Sequence, residues 1–248
     1  LSELNQLTPQ KRFDNKYICH ISKLGSILDL MSKDYKILEI NGKRHSHYSN
    51  LYFDTKDLTF YHNHINGKLG RQKVRLRHYD TSNENYIEIK YKNNKKETSK
   101  TRIKINEFNS QVISNFRDIL DKGLSVNTDE LIATLTLTYN RITLIRPDSF
   151  DKFTFDYGLS ANTSGNKSLY FNGLLIIEHK STNKTDANKL PEKLNHIELK
   201  KMSISKYCLG LVLSKDNIKY NTYKSKLITI QKVSNGINTK YPLYSWSN

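Results

Sequence analysis

Cysteine is nearly absent from this chain. Cys19 and Cys208 are the only two in 248 residues, and neither belongs to a C-x-x-C pair or a zinc-binding spacing. Two isolated thiols read as small buried residues and fit a reducing compartment. Long apolar runs are missing as well. The longest, such as residues 174–177, fall far short of a bilayer span. The opening stretch, LSELNQLTPQKR, starts at Leu1 and carries no apolar core of a secretory leader. Glycine-rich phosphate loops are lacking too: there is no G-x-x-x-x-G-K-[ST] and no G-x-G-x-x-G. Asn66-Gly67-Lys68-Leu69-Gly70 reads as a hairpin turn, so a bound nucleotide would have to be held by side chains. Acidic residues are scarce beside basic ones, 24 against 40, for a formal charge of +16. Such a field draws polyanions, whether nucleic acid, an anionic membrane surface, nucleotides or polyphosphate.

What is present reads as strands. Residues 12–19, 35–40, 48–53, 74–79, 86–91, 101–105, 133–145, 153–157 and 174–180 have strand character, separated by polar loops. Ser22 reads as the N-cap of a helix with Leu24, Ile27, Leu28 and Met31 on one face. Residues 111–120 read as a short helix, and residues 186–214 as helical, with Pro191 near a helix start. The last thirty or so residues are polar and give no clear pattern. No repeat or low-complexity linker divides residues 1–248, so one domain is expected. The fold class is α+β, mainly antiparallel β. Eight or more such strands point to a closed barrel, because closure removes exposed edges.

Side chains at i and i+2 share one face of a strand. Arg75 and Arg77 therefore share a face, as do Glu88 and Lys90, the trio Lys100, Arg102 and Lys104, the trio Lys152, Thr154 and Asp156, Glu178 and Lys180, and Arg12, Asp14 and Lys16. The opposite phase is mostly apolar, with Thr101 and His179 also in it. A sheet with one wet face gives the same alternation without any function. The density of charge of one sign is harder to explain that way: residues 68–104 hold twelve Lys and Arg against four Asp and Glu. Adjacent strands carrying it would repel one another unless an anion lay on them. If that face lines a barrel, it makes a basic tunnel with a few carboxylates. Arginine forks, lysine point charges and metal-holding carboxylates together suit a phosphate chain. His45 and His47, and His62 and His64, read as strand pairs two apart with no third ligand near in sequence. A surface or barrel-face role fits them better than a metal site. The sixteen tyrosines show no stacking pattern of an RNA-binding sheet.

These residues carry a resemblance. Arg12-Phe13-Asp14-Asn15-Lys16-Tyr17, Leu51-Tyr52-Phe53-Asp54-Thr55, Lys73-Val74-Arg75-Leu76-Arg77-His78-Tyr79, Ile87-Glu88-Ile89-Lys90, Lys100-Thr101-Arg102, Tyr139-Asn140-Arg141, Phe153-Thr154-Phe155-Asp156, Ile177-Glu178-His179-Lys180 and Ser205-Lys206-Tyr207 occur in order. Together, over roughly residues 11–212, they resemble the VTC (polyphosphate polymerase) domain, a branch of the triphosphate tunnel metalloenzymes of the CYTH-like superfamily. The resemblance implies an antiparallel, eight-stranded tunnel with flanking helices. It implies Arg75, Arg77, Lys90, Lys100 and Glu178 as catalytic, and Arg12, Lys16, Arg102, Arg141, Lys152, Lys180 and Lys206 as substrate-binding. Glu178 would bind Mn²⁺ or Mg²⁺, with Glu88 and Asp156 of second rank. Departures from the family pattern are Asp14 where glutamate is usual, Ser49 where arginine is common, and Lys152 in place of arginine. A further basic position in the turn falls on Lys68 or Arg71.

The implied reaction is ATP-dependent polyphosphate synthesis, a terminal phosphate attacking the γ-phosphoryl of ATP. The attacking oxygen is already anionic and needs no general base. The partners are then ATP, inorganic polyphosphate, pyrophosphate or phosphate, with no specific nucleic acid. The alternatives are a triphosphatase, in which Glu88 or Asp156 activates water, and a non-catalytic polyanion binder. No SPX-like regulatory domain or membrane helix is expected to accompany the chain. A cytoplasmic location is expected, with any membrane coupling supplied by another protein.

Overall fold

Strand alternation divides this molecule into two faces of different chemistry. The computed structural model describes residues 13–95, 97–147, 149–163, 168–182 and 190–234, and Arg12 lies outside them. Eleven strands form one sheet: β1 (Phe13–His20), β2 (Lys36–Ile37), β3 (Ser46–Thr55), β4 (Arg71–Tyr79), β5 (Glu84–Lys92), β6 (Thr98–Ile105), β7 (Leu131–Ile145), β8 (Lys152–Asn162), β9 (Leu169–Phe171), β10 (Leu174–Ser181) and β11 (Lys200–Lys201). The helices are α1 (Leu24–Met31), α2 (Thr59–Ile65), α3 (Arg117–Gly123), α4 (Lys206–Ser214) and α5 (Lys224–Val233). Pairing is antiparallel in the order β11-β1-β10-β8-β7-β3-β4-β5-β6, with β2 on β7 and β9 on β8. No helix among the described residues is long and apolar enough to cross a membrane.

The mainly antiparallel α+β class holds, but the closed eight-stranded barrel is not seen among the described residues. The sheet ends at β11 and β6, and no ladder among the described residues joins them. The edges explain this. β11 is two lysines long, and β6 is exposed along most of its length and carries Lys100, Arg102 and Lys104. Short, charged edges resist further pairing. The sheet still curls strongly, for Lys90 on β5 comes near enough to Glu178 on β10 and Lys16 on β1 for their charges to interact.

Two apolar clusters cover the convex side. Ile27 and Met31 of α1 pack on Tyr17, Phe153, Phe155, Leu175 and Ile177. Ile113 and Leu120, from the helical stretch 110–123, pack on Val74, Leu76 and Ile87. A third cluster fills one end of the concave side, where α4 lies against Leu135, Leu137, Leu159 and Ile176. The approach is close enough to need Gly210, whose added Cβ would fall 2.6 Å from Leu135 Cδ2. On β8 the register shifts beside Gly158, which has a φ of +60°. That bulge lets Leu159 and Ala161 join the apolar end while Asp156, in the other phase, stays on the same concave side.

Several local expectations are corrected. His20 Nδ1 accepts from the Ser22 amide at 3.3 Å and caps a single turn, Ile21–Lys23, so Ser22 is not the cap of α1. The expected 35–40 strand is broken up: Lys36–Ile37 pairs with β7, the Leu38 amide donates to Thr143 O at 2.8 Å, and Ile40 forms only an isolated bridge with Lys43. Residues 111–120 become a 3₁₀ stretch, Ser110–Phe116, leading into α3. Of 186–214, residues 186–189 lie outside the described set; Pro191 opens one turn, Glu192–Leu194, and α4 begins only at Lys206. The stretch between crosses the sheet edge, where β11 pairs with β1 and Met202 N donates to Lys16 O at 2.9 Å. The polar C-terminal part contains α5.

His62 and His64 lie on α2 rather than on a strand. The helix starts where Asp54, fully buried, gathers its amides. Oδ1 accepts from the Thr55 and Phe60 amides, both at 2.8 Å, and Oδ2 from the Tyr61 amide at 2.9 Å and the Tyr207 hydroxyl at 2.6 Å. One carboxylate thus ties β3, α2 and α4 together. Asp54→Ala leaves these donors buried and unpaired. We expect a loss of about 3–5 kcal/mol, measured by urea denaturation, with the polar face untouched. A loss under about 1 kcal/mol would deny Asp54 this tie.

Candidate active site

The concave side outside the apolar end is charged. Cross-strand register sets the side chains in rows: Lys16 opposite Glu178, Glu178 opposite Thr154, Asp14 opposite Lys180, and Lys180 opposite Lys152. Across the other half, Arg75 pairs with Glu88, Glu88 with Arg102, and both Lys73 and Lys100 with Lys90. The i, i+2 phasing therefore brings Lys16, Arg75, Arg77, Glu88, Lys90, Lys100, Arg102, Arg141, Lys152, Asp156, Glu178 and Lys180 to one curled face, and Lys206 reaches it from the start of α4. Lys104 stands apart on the rim, paired with Glu84 at 2.9 Å.

Two buried carboxylates organise the cations. Glu88 is 2% exposed. Its Oε2 accepts from Arg75 Nε at 2.8 Å and NH2 at 2.6 Å, and its Oε1 from Lys100 Nζ at 2.5 Å. Arg102 Nε and Arg77 NH1 stand 3.6 and 3.8 Å from it. Burial alone would raise the Glu88 pKa, but Arg75, Arg77 and Lys100 outweigh it and hold the carboxyl well below its ordinary range. Asp156 repeats the device. It accepts from Arg141 Nε at 2.5 Å and NH2 at 2.7 Å, and from Lys206 Nζ at 2.5 Å. Its burial is likewise overcome, by Arg141 and Lys206, and its pKa falls to about 2.

The arginine forks are accordingly less free than strand phasing alone implies. Arg75 spends two nitrogens on Glu88 and gives the third to the Tyr52 hydroxyl at 3.1 Å. Arg77 is buried and bonds Asn50 Oδ1 at 2.8 Å and the Tyr139 hydroxyl at 3.0 Å. Asn50, and not Ser49, faces the cations. Tyrosine rings supply the rest of the support: Arg77 and Arg141 lie over Tyr48 at 5.3 and 5.2 Å, and Arg102 lies 3.7 Å from the Tyr86 ring centre. These cation–π contacts fix guanidinium planes. The sequence signal was there, for Tyr48, Asn50 and Tyr52 alternate in phase with the inward face. Arg71 shares the phase of Lys73 and Arg75, whereas Lys68 sits exposed in the turn.

The third carboxylate, Glu178, contacts Lys180 Nζ at 2.7 Å, and Lys180 lies 3.8 Å from Asp14. Burial would raise Glu178, but Lys16, Lys180 and Arg141 bring it well below the ordinary range. Glu88, Asp156 and Glu178 do not converge on one point. Among the described residues no three His, Cys, Asp or Glu side chains gather as a metal cage. Glu88 and Asp156 are instead counter-ions of the arginines and lysines that surround them. Glu178, with Asp14 across Lys180, fits a divalent cation that takes most of its oxygens from phosphate and water. The histidines take no part: His47 bonds Asn140 at 3.1 Å, and His62 and His64 lie on α2.

Lysines here are pushed down. Burial first, then neighbouring cations, lower Lys73 to about 7; Lys16 falls to about 8, partly restored by Glu178, and Lys100 falls to about 8, partly restored by Glu88. A bound polyanion would raise all three. Binding should therefore take up protons between pH 7 and 9, and affinity should fall as pH rises, by up to about tenfold per unit for each coupled lysine. Titration calorimetry at pH 8 in two buffers of different ionisation enthalpy measures the uptake. Zero uptake would show that no lysine titrates with binding.

The VTC domain family profile matches residues 11–215. The fold resembles HpAC1 of Hippeastrum, an adenylyl-cyclase-like protein described as having a dominant triphosphatase activity, with 15% identity, 80% of this chain and 94% of that chain covered, and a TM-score of 0.54. An adenylate-cyclase-like protein of Vibrio parahaemolyticus aligns with 10% identity over 81% of this chain and 97% of that chain, with a TM-score of 0.48. Comparison with curated proteins gives no match.

Proposed function

This chain belongs to the VTC domain family, and on that premise we propose that it is an ATP-dependent polyphosphate polymerase. The γ-phosphoryl of ATP passes to the terminal oxygen of a phosphate chain lying on the concave face. Lys90, Lys100 and Arg102 present charge to that chain from one wall, and Lys16, Lys152 and Lys180 from the other. Arg75, Arg77 and Arg141, braced by carboxylates, Asn50 and tyrosine rings, hold the positive field in place. A preorganised field stabilises charge that moves to the leaving oxygens without reorganising at the moment of transfer. A divalent cation at Glu178 would neutralise further phosphate charge.

One observation carries the preference for transfer over hydrolysis. The two carboxylates best placed to activate water, Glu88 and Asp156, are both clamped by cations and depressed in pKa. They make poor bases, and an anionic phosphate nucleophile needs none. The triphosphatase reading is supported by the fold likeness to HpAC1. Incubation with ATP and Mn²⁺ or Mg²⁺, resolved on a polyphosphate gel, separates them. Long chains are expected. Free phosphate alone would establish the hydrolase, and binding without turnover a polyanion binder.

A further inference from the structure

Away from the two carboxylate clamps, three lysines from three elements end on one short loop. Lys226 Nζ of α5 donates to Ser203 O at 2.8 Å, Lys16 Nζ of β1 to Ile204 O at 3.0 Å, and Lys73 Nζ of β4 to the Ser205 hydroxyl at 2.9 Å. The acceptors belong to consecutive residues, so the ammonium groups gather within a span on the order of 10 Å. All three acceptors are neutral. Among the described residues, none of these lysines has a carboxylate within ion-pair distance. Every other strongly buried cation cluster of the concave face is built on a carboxylate, Glu88 or Asp156.

Other cations add to this field. Arg71 at the start of β4 and the three lysines all act on His64 of α2, and burial followed by these charges keeps that imidazole neutral. Like charges gathered with no carboxylate in contact, Glu178 acting on Lys16 only from the next strand, cost stability, a cost that an arriving anion removes. The cluster also has a direction. Lys16 and Lys73 are part-buried beside Lys90, on the charged face, while the Lys226 bond lies at the solvent-exposed end.

We propose that Lys73, Lys226 and the loop 203–205 form a second anion site, which holds the distal phosphates of a polyphosphate chain whose reacting end lies among Arg75, Lys90 and Glu178. This rests on the polymer reading above. The alternative is that the lysines merely satisfy loop carbonyls. The two differ at Lys226, which takes no part in the reaction.

The test is calorimetric titration of the whole protein with tripolyphosphate and with a chain tens of phosphates long. Lys226→Glu should lower long-chain affinity by about tenfold or more and leave tripolyphosphate within about twofold. Lys226→Arg should retain long-chain binding. Lys232→Glu, an exposed reversal on the same helix, controls for the overall field and should leave both affinities near the parent. Long-chain affinity unchanged in Lys226→Glu, or lowered equally by Lys232→Glu, would overturn the second site and leave the polymerase reading standing. A parent that binds neither ligand would sink the polymerase reading and this site with it.

Discussion

Glu88→Gln is expected to be the most destabilising substitution on the concave face. The carboxylate is almost wholly buried, and Arg75, Arg77, Lys100 and Arg102 all stand within 4 Å of it. Glutamine keeps the shape but removes the charge, which leaves four cations facing one another, with Arg75 and Arg77 sheltered from water and Lys100 and Arg102 partly exposed. Breaking a buried pair from one side typically costs about 3–5 kcal/mol. That loss, read by urea denaturation at pH 7, is the expected result. Acid gives an independent sign. A carboxyl whose folded pKa is depressed stabilises the fold above its unfolded value, near 4.5, and loses that contribution as pH falls toward the folded value. The parent should therefore lose stability below about pH 4.5 more steeply than Glu88→Gln does. Tripolyphosphate should raise the melting temperature of the variant more than that of the parent, since an anion can replace the missing charge. Parent-like stability at pH 7 would mean that water already screens the four cations and that Glu88 organises nothing.

Strand alternation alone identified the charged concave face. Arg75 with Arg77, Glu88 with Lys90, Lys100 with Arg102, and Glu178 with Lys180 all point to one side, because period-two phasing is a local property. Neighbours across strands are not local. That Glu88 would serve Arg75 and Lys100, while Asp156 served Arg141 and Lys206, depends on a register fixed by the β7–β8 irregularity and by the docking of α4. The distinction between a metal carboxylate and a counter-ion was therefore hidden in the sequence. So was α2: Phe60, Tyr61 and the histidines have no strong helix preference, and the group that gathers their amides, Asp54, sits at the end of a strand several residues earlier. Barrel closure was misjudged for a related reason. The charges that mark β6 as part of the active face also make it a poor edge for pairing.

Glu178→Gln is expected to have the largest effect on turnover and a much smaller one on stability. Unlike Glu88, Glu178 has a single cation in contact among the described residues, Lys180, and that lysine also has Asp14 at 3.8 Å. The fold should accordingly tolerate the change, with a melting temperature near the parent's. Chemistry should not, if the carboxylate draws a divalent cation onto the phosphate oxygens. Loss of one preorganised electrostatic contact in a transferring group typically costs a factor of about 10²–10³. We expect ATP-dependent turnover with Mn²⁺ or Mg²⁺ to fall by roughly that much. Binding without metal should move in the opposite sense. Glu178 repels phosphate and occupies Lys180, so the amide should leave metal-free tripolyphosphate affinity equal to the parent's or higher. A merely structural carboxylate would give the reverse pattern, with weaker fold, weaker binding and turnover reduced in proportion. Calorimetric titration in chelator, beside turnover at saturating metal, distinguishes them. Undiminished metal-dependent turnover in Glu178→Gln would remove Glu178 from the reaction, and the divalent cation would then have to be carried by the nucleotide alone.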